Sequence, residues 1–284
     1  MAIDTPVTPD AVTDLSAREM RRSVMGRLGL RLGVVVGWLA FVGVWYALSR
    51  FVLGTQQLPP PHTVASEAWQ LASGPGFGST LWASLFRVIA GCVLALTASI
   101  VLGTVIAYSA WWRDLMGSLT RFFISIPTVA LAILALILFG VSGLGPILTA
   151  ALVATPYLMT SVAQGIAGVD RRLIVMSESF ARTRAQIITG VLLPSSVLAV
   201  IGGSRQAFAL AWRITLLTEV FASSDGVGYQ IKRSFEGYDL RGMLAWTALF
   251  IGLMFIFENL VFRQLERRAF GGAYVSATTA APAQ

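Results

Sequence analysis

The chain of 284 residues contains one cysteine, one histidine and one lysine. Each scarcity excludes a chemistry. Cys92 alone allows no intramolecular disulfide and no thiolate zinc cluster. His62 alone excludes paired-histidine metal sites and the HExxH helix. Lys232 follows Ile231, so the Gly-Lys-Ser/Thr phosphate cradle of a P-loop is absent. Charge is scarce too, at 12% of residues against roughly 25% in a soluble domain. So little charge does not cover a water-facing surface of this size. With 56% hydrophobic residues and a mean hydropathy of +0.73, the natural solvent is a bilayer.

What is present is a series of long runs without Asp, Glu, Lys or Arg. Residues 1–31 are a polar tail bearing five arginines. Residues 32–54 are the first span, whose uncharged positions reach about 33 Å at 1.5 Å per residue. The run is too long for a signal-peptide core and reads as an uncleaved span. Residues 55–80, punctuated by Pro and Gly, read as an external loop with a short helix after Pro61. Residues 88–112 are the second span, closed by Trp111 and Trp112 at the interface. Residues 122–169 hold 48 uncharged positions, about 72 Å as one helix and twice what a bilayer needs. The Gly- and Pro-rich stretch 140–146 divides them into spans at 121–140 and 144–166. A fifth span covers 191–221, opening at Pro194, with Gly202-Gly203 as a candidate hinge. The sixth covers 242–262, with Glu258 near its end. The membrane core is thus 81–268, and the small, polar tail 269–284 is expected to be disordered. The expected fold class is an all-α polytopic membrane protein with about six transmembrane helices.

Basic residues orient the chain. With the N-terminus inside, fourteen Arg fall in inside segments, against three Arg or Lys in outside loops. The positive-inside rule then puts both termini in the cytoplasm. This bias explains most of the net charge of +7 without nucleic acid.

Between spans four and five, residues 168–190 break the apolar pattern and hold Arg171, Arg172, Arg182 and Arg184. Asp170 is placed to cap a first short helix, on which Leu173, Met176 and Phe180 share a face. Thr183 and Gln186 have capping-box spacing for a second. The loop reads either as a docking element, an apolar knob with basic flanks, or as an ordinary cytoplasmic loop.

Residues 169–194, VDRRLIVMSESFARTRAQIITGVLLP, resemble the cytoplasmic loop of ABC-importer permeases of the nitrate/sulfonate/taurine group. SLFRVIAG (84–91), ISIPTVALAIL (124–134), LILFGVSG (136–143), EVFASSDGVGYQI (219–231) and LERRAF (265–270) resemble further segments of that group, in order over roughly 78–270. Asp170, Arg184, Leu193 and Pro194 match its loop pattern. Four departures stand out. Val175 replaces the loop Glu, Met176 and Ser177 the two alanines, Ala181 the loop glycine, and Gly143 an acid that often follows the Phe-Gly-Ile-Gly-like segment. The resemblance implies that the loop, with Asp170, Arg171, Arg172, Leu173, Met176, Phe180, Arg182 and Arg184, fits a groove on an ATP-hydrolysing subunit. It implies two cytosolic ATP-binding subunits, a second permease chain, an external solute-binding protein, and a multi-pass location in a bacterial inner membrane, in contact with lipid. No cofactor, metal or enzymatic step on this chain is implied.

Arg205, Trp212 and Glu219 are spaced by seven on the fifth span and share one face, with Arg213 about 80° away. Ionisable groups at membrane depth face the bundle interior or water. The face is expected to line the translocation pathway or the seam between two permease chains, where arginines favour an anionic solute. The alternative is structural ion pairing. A membrane-embedded protease is disfavoured because no His lies in a span. An ion-driven secondary transporter is the remaining alternative. It calls for midplane carboxylates and often an internal repeat, and none is evident.

Overall fold

The computed structural model describes residues 33–108, 110–262 and 264–265. The tails expected at 1–31 and 269–284 lie outside the described residues, as do Arg263, Arg267 and Arg268. Among the described residues all regular structure is helical. The chain divides into two units, residues 1–65 and 66–284.

In the first unit, α1 (Gly33–Val52) is apolar around its circumference and long enough to cross a bilayer. The segment after it folds back: Ser49 Oγ donates to the Leu58 carbonyl at 2.6 Å and Trp45 Nε1 to the Pro59 carbonyl at 3.1 Å. Helix α2 (Pro61–Ser73), which the unit boundary at residue 65 divides, starts on a proline, whose missing N–H has no partner to lose at that position.

The second unit holds the rest. Helix α3 (Phe77–Tyr108) begins well before the uncharged run at 88, because Arg87 is paired inside the protein and does not end the helix. Helices α4 (Ala110–Ser125) and α5 (Thr128–Phe139) meet at 90°, so the expected third span is a bent pair. Pro127 has no N–H to continue α4 and bars Ile126 from helical geometry. Helix α6 (Leu144–Ala167) carries Pro156 internally.

Helices α7 (Arg171–Ser179) and α8 (Arg184–Ile187) follow. A wide π turn, Ile188–Leu192, then leads into α9 (Leu193–Ala222). Pro194 cannot donate to the carbonyl of Gly190, which accounts for the wider winding there. The fifth span is therefore continuous with the loop helix, and its bend separates 184–197 from 199–222. Gly202-Gly203 is not that hinge. A Cβ on Gly203 would overlap the Ser161 side chain, so this glycine lets α9 lie against α6. Helices α10 (Val227–Glu236) and α11 (Leu240–Phe257) complete the unit, and a π turn extends α11 to Phe262. Among the described residues four helices are each long and apolar enough to span a membrane, and the two bent pairs raise the number to as many as six.

Helices α3, α6 and α9 build the core. Val88, Ala150, Ala154, Leu158, Ala207 and Ala211 are buried there, and a Cβ on Gly91 would stand 2.7 Å from that of Ala150. Small residues at such contacts bring backbones together where lipid offers no hydrophobic drive between helices.

Candidate functional site

The α7–α8 loop is built from local signals. The Asp170 carboxylate accepts from the Arg172 N–H at 2.9 Å, capping α7. Thr183 and Gln186 form the reciprocal capping box of α8. Between them, the Arg182 N–H reaches the Ser177 carbonyl at 3.3 Å and the Ala181 N–H the Glu178 carbonyl at 2.9 Å. This is the Schellman ending, with Ala181 in the left-handed region at φ 53° where glycine is favoured.

Those turns give the loop two sides. Ser177 and Ile187 are buried, and Ile174 packs against the cluster formed by Val162, Ile166, Ile187 and Leu192. Leu173, Val175, Met176 and Phe180 face outward, Phe180 with 74% of its surface exposed. Arg171, Arg172, Arg182 and Arg184 are exposed around them, and Arg182 lies over Gly190. The apolar and basic residues named from the sequence are thus exposed on the same loop, and Val175 adds to the apolar set.

The stripe on α9 is not one open face. Trp212 is enclosed, stacked on Phe250 at 4.4 Å and tilted against Phe208 at 5.5 Å. Glu219 is fully buried. Neither lines an open surface of this chain, which corrects the expectation for those two positions. A period of seven places side chains on one side of a helix, but not that side against lipid, water or protein. Arg205 is half exposed and its Nε meets Glu258 Oε1 at 2.7 Å. Arg213 is exposed in a cleft and, among the described residues, has no hydrogen-bond or ion-pair partner.

Glu219 is the centre of a cluster that sequence reading left dispersed. It accepts from Arg87 Nη1 at 2.8 Å, Ser84 Oγ at 2.7 Å and the Gly228 N–H at 2.9 Å. Ser84 Oγ in turn accepts from the Val227 N–H at 2.8 Å. Arg87 also donates to the Asp225 carbonyl at 3.0 Å and pairs with the Asp225 carboxylate. The turn from α9 to α10 is so tied to α3. Gly226, at φ 94°, passes close over the pair, and an added Cβ would sit 2.6 Å from Glu219 Oε1. Gly143 also abuts Arg87, at 3.5 Å from its would-be Cβ to Nε. The acid the resemblance expects at 143 would therefore face Arg87, and in this chain Asp225 supplies that second carboxylate. The signal was present, since SLFRVIAG carries Arg87 and EVFASSDGVG carries Glu219 and Asp225 in largely uncharged surroundings, but nothing local joins them.

Residues 95–270 match the family of binding-protein-dependent transport system inner membrane components. The chain belongs to that family. Among relatives of this permease, a probable ABC transporter permease protein of Brucella melitensis is 28% identical over 241 residues, 85% of this chain and 96% of the relative. The taurine transport system permease protein TauC of Escherichia coli K12 is 26% identical over 249 residues, 85% of this chain and 90% of TauC. The nitrate import permease protein NrtB of Synechococcus elongatus is 23% identical, over 80% of this chain and 83% of NrtB. Among solved structures, the inward-facing MetNI methionine ABC transporter matches the permease fold with a TM-score of 0.58 at 16% identity, over 68% of this chain and 99% of the other. The permease is thus a multi-pass membrane component of an ABC transport system.

Proposed function

We propose that this permease is half of the membrane pathway of an ATP-driven importer in a bacterial inner membrane. Both termini lie in the cytoplasm. Two ATP-binding subunits dock on the α7–α8 loops of two permease chains, and an external binding protein delivers a small solute, anionic in character. The names of relatives that carry aliphatic sulfonates and nitrate support that solute class. The observation that carries the proposal is the outward face of Leu173, Val175, Met176 and Phe180, with Arg171 and Arg172 beside Val175 and Met176 and Arg182 beside Phe180. Such an exposed apolar cluster on a short, doubly capped helix pair marks an interaction surface. ATP-driven closure of the docked subunits moves α7 and α8, and the helical segment 184–197 passes that motion across its bend into the rest of α9.

A secondary transporter would need a titratable carboxylate free at membrane depth. Glu219 and Glu258 are both held by arginines, so no observation favours that reading.

The test is gentle detergent capture of the tagged full-length chain from its host, with mass spectrometry. A stoichiometric ATP-binding subunit is expected, and Phe180→Ala should cut its recovery about tenfold while the permease stays monodisperse. Recovery of the chain alone, under conditions that hold a control transporter together, overturns the proposal.

A further inference from the structure

Of the arginines on α3 and α9, Arg87 is met by Glu219 and Asp225 and Arg205 by Glu258. Arg213 is met by nothing among the described residues. It stands nine residues before the end of α9, about 14 Å along the axis, with apolar helix on either side. A cation there is tolerated facing water or protein, not lipid. It lines a cleft of about 520 Å³, within the range of small-ligand pockets. The cleft draws walls from five helices: Thr128 of α5, Val153 of α6, Val220 of α9, Ile231 of α10 and Thr247 of α11. No acidic residue lines it. Thr247 donates its proton to the Met243 carbonyl at 2.8 Å, whereas the Thr128 hydroxyl is uncommitted among the described residues.

We infer that this cleft holds the transported solute, and that the solute is an organic monoanion with a hydrocarbon body. Arg213 takes the acid group, with the Thr128 hydroxyl as second donor, and the Val and Ile walls take the apolar part. A charge-assisted contact in an apolar site is strong enough to select for an acid. The site has nothing to offer an ammonium, since no lining carboxylate exists and Glu219 is enclosed and consumed. A zwitterion such as an amino-sulfonate is therefore discriminated against, by an unpaired and desolvated charge. This inference rests on the permease reading and narrows its solute class.

The test is equilibrium binding of radiolabelled butane-1-sulfonate to the full-length permease in lipid nanodiscs, with whatever subunits co-purify. Saturable binding is expected. Arg213→Gln should weaken it about tenfold, Arg213→Lys should retain part of it, and Arg241→Gln on the loop side should leave it unchanged. Taurine and butylamine should compete at least about tenfold less well than unlabelled butane-1-sulfonate. Absent saturable binding, a monodisperse Arg213→Gln that binds like wild type, or equal competition by taurine overturns the inference. A misfolded Arg213→Gln leaves the Lys variant and the competition series to decide. Capture of the ATP-binding subunit is scored on the same preparations. Capture without binding refutes this inference alone, and binding without capture refutes the importer reading.

Discussion

Ala181 holds a left-handed conformation at φ 53° that its Cβ opposes. The turn persists because the Schellman bonds and the Ile174–Ile187 packing on both sides fix it. Ala181→Gly should relieve about 1 kcal/mol, read as a rise of about 2 °C in the melting midpoint of the purified chain. An unchanged or lower midpoint would show that the turn is not strained. Much at this scale was legible in the sequence. The Asp170 cap and the Thr183–Gln186 box are patterns spanning three and four residues, and the structure contains both. The pairing of Arg87 with Glu219 was not legible, because 132 residues separate them and each looks like an isolated charge in an apolar run. Arg87→Met strands Glu219 in the core and should cost about 3–5 kcal/mol, seen as early loss of monodisperse protein on heating. Asp225→Asn acts at a side chain 62% exposed and should cost no more than about 1 kcal/mol in the same assay.

At the scale of elements, the turn joining α9 to α10 depends on two glycines. Gly226 combines φ 94° with contact to the ion pair, and a Cβ on Gly228 would stand 2.5 Å from the Leu216 carbonyl oxygen. The carbonyl is backbone and cannot swing aside. Gly228→Ala is therefore expected to displace α10 and to abolish the Gly228 N–H bond to Glu219. Limited proteolysis should then cut at the α9–α10 turn, where the wild-type chain resists. Helix boundaries were less legible than helix existence. A search for uncharged runs started the second span at 88, whereas α3 starts at Phe77, since a neutralised arginine no longer marks a helix end. The same search placed the third span at 121–140, whereas the bent pair begins with α4 at Ala110, and uncharged runs alone do not reveal the 90° break at Pro127. Periodicity on α9 named the functional-looking residues and misjudged their surroundings, because burial depends on which helices pack there.

For the whole molecule, the arginine bias sets a testable orientation. In a Cys92→Ser background, Glu236→Cys should react with an impermeant maleimide on intact cells or spheroplasts, and Ala185→Cys only after permeabilisation. Both positions are exposed, so access and not burial decides the result. The reverse pattern would invert the topology and remove the ATP-binding subunit from the α7–α8 loop. Fold class was legible because composition alone forbids a soluble surface and the runs are long enough to count. The solute cleft was not, since its walls come from α5, α6, α9, α10 and α11 and no stretch of sequence contains it.

The Arg87–Glu219 pair also carries a cost in time. A ribosome adding about 5–20 residues per second reaches Glu219 between about 7 and 26 seconds after Arg87. Throughout that interval the Arg87 guanidinium has no Glu219 carboxylate to pair with, because that residue has not been made. An unpaired arginine is costly at membrane depth, so α3 is expected to reach its final depth only once the fifth span supplies Glu219.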